Sequence, residues 1–175
     1  MLISITGTPG TGKTEVGKEL VHRKKNVIFL TEFIEENDLF GEFDDELGSY
    51  DVDTKELDIL LKEYKESDLT YYVEGHLSHF ISSSYTIVIR CEPNALALRL
   101  EGRGYSEEKV KENVQAEILD IILCEADSTD IPIYELDSSL HTSEELVDSI
   151  LEIQNGKKGY EPGKTDWTGE IDKWF

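Results

Sequence analysis

One stretch near the N-terminus restricts this chain more than any other. The apolar run Leu2-Ile3-Ser4-Ile5-Thr6 leads directly into Gly7-Thr8-Pro9-Gly10-Thr11-Gly12-Lys13-Thr14, and a helical pattern follows over Glu15–Val21. The stretch fits G-x-x-x-x-G-K-[S/T] at every defining position and lies between a strand and a helix, where that motif belongs. Its glycines let backbone N–H groups converge into a nest for phosphate oxygens. The helix N-terminus adds its dipole. An ordinary glycine-rich turn is the competing reading, and it leaves the lysine and threonine unexplained. Lys13 is expected to reach the β- and γ-phosphates of ATP, and the Thr14 hydroxyl to ligate Mg²⁺. Gly10, Thr11, Gly12, Lys13, Thr14 and Glu15 are therefore the candidate ATP contacts, and the terminal phosphoryl group is the group to be moved or removed.

Further short apolar runs follow at Val27–Leu30, Leu69–Val73, Tyr85–Arg90 and Ile131–Leu136. Helical patterns alternate with them. Asp53 caps a helix to about Lys65 with Leu57, Leu60, Leu61 and Tyr64 on one face. Others cover Asn94–Leu100, a long amphipathic stretch Ser106–Ala126, and a capping box at Thr142-Ser143-Glu144-Glu145 that opens a helix to about Gln154. Thr31–Asp53 has no clear period and reads as a partly helical excursion. Continuous apolar strands alternating with helices predict an α/β fold: a five-stranded parallel sheet flanked by helices in three layers, of P-loop NTPase type. The expected division is one domain over 1–155 and a tail over 156–175. Trp167 and Trp174 in that tail either pack back on the domain or meet a partner.

The chain has 175 residues, 38% of them apolar, which suits one folded domain. Its longest apolar runs are too short to span a bilayer, and the N-terminus lacks a signal-peptide pattern, so a cytoplasmic location and no membrane partner are expected. Cys91 and Cys124 have no CxxC spacing and read as buried apolar fillers. The net charge of −21 argues against direct nucleic-acid binding and could steer a basic protein partner or simply keep the chain soluble.

The second chemical feature is Val73-Glu74-Gly75-His76. A carboxylate ending a neighbouring strand can hold Mg²⁺, and Glu74 is so placed. His76 could orient an attacking water or bond a phosphate; each also has a plain reading, as a solvated strand-end acid and a cleft histidine. A zinc trio of Glu74, His76 and His79 is disfavoured, and His79 reads as structural. Phosphoryl transfer needs cations around the γ-phosphate. Arg103, in Gly102-Arg103-Gly104-Tyr105, lies on a flexible hinge that suits a lid. Arg99 is one turn earlier, and Arg90 ends a strand and could face the same cleft. Arg23 reads as the basic end of the first helix.

These segments, GTPGTGKT, VEGHLSH and RCEPNALALRLEGRGYSEEKVKENVQAEILD, resemble the adenylate kinase isoenzyme 6 family and, within it, the archaeal branch. The resemblance spans roughly residues 1–155. It implies a nucleoside monophosphate (NMP) kinase core with an NMP-binding region at about 30–53 and a short lid at about 102–112. It also implies ATPase activity, with Glu74 and His76 in catalysis, and a role in small-ribosomal-subunit maturation beside a basic platform ribosomal protein. Carried over, Gly10, Gly12, Lys13, Thr14 and Glu15 would bind ATP and Arg103 would be the lid contact. Many members carry Asp-x-His where this chain has Glu74-Gly75-His76, one methylene longer.

Thr31–Asp53 contains ten acidic residues, Glu32, Glu35, Glu36, Asp38, Glu42, Asp44, Asp45, Glu46, Asp51 and Asp53, and no Lys or Arg. A monophosphate pocket there must draw cations from elsewhere, such as Arg90 and Arg99, or the segment docks something basic; a solvated acidic excursion is the plain reading. ATP and AMP as joint substrates, or ATP hydrolysis coupled to a basic protein, are thus the two expectations.

Overall fold

A computed structural model describes residues 1–44 and 49–175. In chain order the elements are β1 (Leu2–Thr6), α1 (Lys13–His22), β2 (Asn26–Phe29), α2 (Leu30–Glu36), β3 (Phe40–Asp44), β4 (Ser49–Val52), α3 (Thr54–Leu60), α4 (Lys62–Glu66), β5 (Tyr71–Glu74), β6 (Tyr85–Arg90), α5 (Pro93–Glu101), α6 (Glu107–Ile118), α7 (Ile121–Asp127), β7 (Ile133–Asp137), α8 (Ser143–Gln154) and α9 (Ile171–Trp174). The five apolar runs form one parallel sheet in the order β2-β5-β1-β6-β7, with Ile3 facing Tyr72 on one side and Tyr85 on the other. β1 is central, so the segment after it starts in the middle of the sheet's carboxyl edge, where open α/β sheets bind ligands.

Side chains alternate along each strand. Ile3 and Ile5 pack with Ile87 and Ile89 under Val16 and Leu20 of α1 and Val147 and Ile150 of α8. Leu2 and Val73 pack with Leu30, Ile34, Leu57 and Leu61. Helices thus cover both faces, and the expected three-layer arrangement is present. α8 starts on a full capping box, with Thr142 N–H donating to Glu145 at 2.9 Å and Glu145 N–H donating to the Thr142 hydroxyl at 3.3 Å. Asp53 caps α3 by accepting from Lys55 and Glu56 N–H.

Several expectations need correction. The excursion after Leu30 holds α2 and then an antiparallel hairpin, β3–β4, in which Phe40 faces Val52 and Phe43 faces Tyr50. Of the acidic segment, Asp45 and Glu46, with Gly48, lie outside the described residues. The helix after Asp53 steps at Leu61, and Leu60 is exposed while Leu57 and Leu61 are buried. The long helix from Ser106 breaks at Asp120, whose φ of 55° is left-handed and whose carboxylate accepts from Arg90. Cys91 is buried, but Cys124 is exposed on α7.

The tail folds back. Tyr160 C=O accepts from Glu135 N–H at 2.8 Å on the outer side of β7. Trp167 and Trp174 pack on the cluster of Leu96, Leu100, Val110 and Val114 between α5 and α6. Among the described residues, no helix is long and apolar enough to cross a membrane.

Candidate functional site

The loop between β1 and α1 closes tightly because its glycines meet backbone. Gly7 has φ 143°, and a Cβ there would lie 2.3 Å from the Ile89 carbonyl oxygen, so no side chain fits. Gly12 caps α1 in the left-handed conformation without a side-chain hydrogen bond. No side chain therefore competes for the first N–H groups of α1, the condition for an anion site at a helix N-terminus. Lys13 is buried and curls back over the loop, donating from Nζ to Gly7 C=O at 2.7 Å and to Thr8 C=O at 3.0 Å.

Neighbouring strand ends bring in the other groups. Glu74 ends β5 and accepts from the Thr14 hydroxyl at 3.3 Å. Gly75 follows it because Leu30 leaves no room, a Cβ there coming within 2.6 Å of Leu30 Cβ. His76 opens to solvent at the site. Lys13, Thr14, Glu74, His76, Arg103 and Tyr105 line a cavity of about 270 Å³. Thr11, Glu15, Arg99, Ser138 and His141 line a second cavity of about 320 Å³ on the other side of the loop. Gly10, Gly12 and Arg103 border both. Arg99 bridges the loop to the turn after β7, donating to Thr11 C=O at 3.3 Å and to the Ser138 hydroxyl at 3.0 Å. All the candidate ATP and catalytic residues thus gather at one edge of the sheet. A hollow of about 460 Å³ beneath the tail adjoins the second cavity through His141 and Leu146.

Comparison with known proteins follows the same lines. A family model described as an AAA domain matches residues 3–120. A protein of Methanocaldococcus jannaschii named "Putative adenylate kinase" is 42% identical, over 100% of this chain and 96% of its own length. One of the same name from Archaeoglobus fulgidus is 39% identical, over 98% and 94%. The chain belongs to this archaeal adenylate kinase family. Among solved structures, shikimate kinase from Acinetobacter baumannii in complex with shikimate is similar with a TM-score of 0.63 at 15% identity, over 90% of this chain and 94% of that one. Deoxyadenosine kinase from M. mycoides gives 0.56 at 16%, over 90% and 100%. These two share the fold, that of P-loop kinases, and this family member is a phosphotransferase.

Arg90 does not face the cleft, contrary to expectation. It is 1% exposed, and its guanidinium donates to Glu117 at 2.7 Å, to Glu135 at 2.6 Å and to Asp120. Three carboxylates, from α6, from the turn after it and from β7, surround it, and against burial their charges keep its pKa raised. Removing one partner of a buried ion pair strands the others. Arg90→Met is expected to cost about 3–5 kcal/mol. Thermal unfolding should show this as a melting temperature lower by about 10 °C.

His79 is buried, its ring between the Thr6 hydroxyl at 2.9 Å and Glu125 at 3.1 Å, which fits the structural role expected of it. Ser138, His141, Thr31 and Tyr105 border the site and were not anticipated. A usable signal was present for two of them: Ser138 and His141 stand just past a parallel strand's carboxyl end.

The electrostatics are unusual for a surface this acidic. Burial pushes Lys13 down to about 8; Glu74 and Glu117 oppose the shift and Arg103 adds to it. Burial raises Glu74, against Lys13 and the Thr14 hydroxyl. Partial desolvation, then Lys13 and His79, lower His76, leaving a neutral imidazole at neutral pH. The free protein loses the Lys13 proton near pH 8 and the unfolded chain only near 10.5, so folding stability rises with pH between those values. Phosphates bound against Lys13 would hold the proton on. Nucleotide binding above about pH 8 is therefore expected to take up one proton and to weaken by about tenfold per pH unit. Calorimetry near pH 9 in buffers of different ionisation enthalpy measures the uptake; none, with flat affinity, contradicts it.

Proposed function

We propose that this chain is a nucleoside monophosphate kinase of adenylate kinase type, converting ATP and AMP into two ADP, with ATP hydrolysis as a side activity. The observation that carries this reading is the pair of cavities that meet across the phosphate loop and share Gly10, Gly12 and Arg103. One set of cationic and N–H groups then serves two nucleotides, as transfer between them requires. The names of the archaeal relatives support the same substrate class. In this reading residues 30–53 form the NMP-binding region and residues 102–112 the lid, on a domain of residues 1–155 followed by a tail over 156–175.

Lys13 leaves the Gly7 and Thr8 carbonyls for phosphate oxygens. The free N–H groups at the start of α1 take the β-phosphate side. Arg103 and Arg99 neutralise charge from the opposite side, and closure of the lid excludes water. The Thr14 hydroxyl and the Glu74 carboxylate, 3.3 Å apart, are hard oxygen donors, and the buried acid lacks a full counter-charge. That donor set fits Mg²⁺, which when bound there would neutralise phosphate charge. The second phosphate must find its cations at Lys13, Arg99 and Arg103, because Arg90 is already paired inside the protein.

The test follows the label from γ-labelled ATP with Mg²⁺, with and without AMP. Label in ADP only when AMP is present supports the kinase. Label released as free phosphate regardless of AMP rejects it and favours the second reading, an ATPase of small-subunit maturation in the cytoplasm. The acidic segment 31–53 and the neutral His76, free to orient water, favour that alternative. Its partner would be a basic platform protein of the small ribosomal subunit, and salt-sensitive binding of such a protein checks it.

A further inference from the structure

We propose that Glu117 is a positioning residue that ties the phosphate loop to the helix leaving the lid, acting through the hydroxyl of Thr8. The proposal rests on reading residues 102–112 as a lid. Glu117 is 2% exposed, near the end of α6. One carboxylate oxygen accepts from Arg90 Nε at 2.7 Å and from Cys91 N–H at 3.1 Å. The other accepts from the Thr8 hydroxyl. Arg90 also donates to the Glu117 backbone carbonyl at 3.1 Å, so main chain and side chain are both held.

Thr8 is as buried as its partner. Its carbonyl accepts from Lys13 Nζ at 3.0 Å, from the Thr11 hydroxyl at 2.9 Å and from Thr11 N–H at 3.2 Å. One residue therefore grips α6 with its hydroxyl while its carbonyl holds Lys13 and the turn of the loop. At its other end α6 is capped by Ser106, directly after the segment that carries Arg103 and Tyr105 to the cavity. A displacement of the lid is carried along α6, a rigid helix, and reaches Thr8 through a single charge-assisted hydrogen bond. The bond to Thr8 does nothing to neutralise Arg90, which Asp120 and Glu135 also face. Its effect is on the loop.

The test uses the full chain and two substitutions. Thr8→Val keeps the shape and removes the hydroxyl; Thr8→Ser keeps the hydroxyl. Thr8→Ala replaces the valine variant if that does not fold. Hydrogen exchange without nucleotide should show segments 8–16 and 100–118 exchanging at least about tenfold faster in Thr8→Val. β5 and β6 should stay at wild-type rates, and Thr8→Ser should match wild type throughout. The Thr8→Val kcat should fall about tenfold or more with KM for ATP within about threefold. Unchanged exchange in the two segments overturns the proposal. So does equal acceleration across β5 and β6, which would assign Glu117 to general stability. Failure of the kinase reading would appear separately, as a wild type that transfers no label to AMP.

Discussion

Lys13→Met is expected to lower phosphoryl transfer by about three orders of magnitude while leaving the protein folded. Lys13 is buried at the edge of the cavity, so its charge would act on phosphates bound there at close range with little screening. Methionine fills the same channel without charge. The fold should tolerate the exchange, because the Thr8 carbonyl keeps its bonds from Thr11 and a desolvated cation is removed. Label transfer measures the first effect, and thermal unfolding at neutral pH the second. Turnover within tenfold of wild type would remove Lys13 from the chemistry.

Glu74→Gln is expected to cost about a hundredfold in turnover and to raise the Mg²⁺ concentration needed for half-maximal rate. The amide keeps the shape and can still accept from the Thr14 hydroxyl, so the loss isolates the charge. Stability should move the other way. Burial raises the folded-state pKa of Glu74 above its unfolded value, so the acid costs folding energy in full above the folded pKa and none below the unfolded one. The variant should therefore melt higher than wild type at neutral pH, with the difference fading as the pH falls through the carboxyl range. A variant that loses activity and melts lower would mark Glu74 as a structural acid.

The parts of this molecule written in local spacing could be read directly. The phosphate loop, the five strands and the caps at Asp53 and Thr142 each depend on residues within a few positions of one another. The hairpin β3–β4 escaped because Gly41 and a bulge between Phe40 and Phe43 break its alternation. The break at Asp120 escaped because its cause, Arg90, is distant in sequence. Arg90 itself misled, since a cation at a strand's carboxyl end reads as ligand-facing until its three partners are seen. Glu117 looked like one more acid on an amphipathic helix. Nothing in its neighbourhood announces burial, and its partner Thr8 lies 109 positions away.

The guanidinium that gathers Glu117, Asp120 and Glu135 also bears on how the chain assembles. Glu117 arrives on α6 and Glu135 on β7, and each would be a buried, uncompensated charge if it docked without Arg90, while the partly exposed Asp120 joins them from the turn between α6 and α7. Glu135 goes further, accepting from the backbone N–H groups of Gly163 and Lys164, so the tail's seating depends on the same centre. Partial assembly of the C-terminal half is thereby penalised. Around Arg90, β6, α6, β7 and the tail are therefore better docked together than piecemeal.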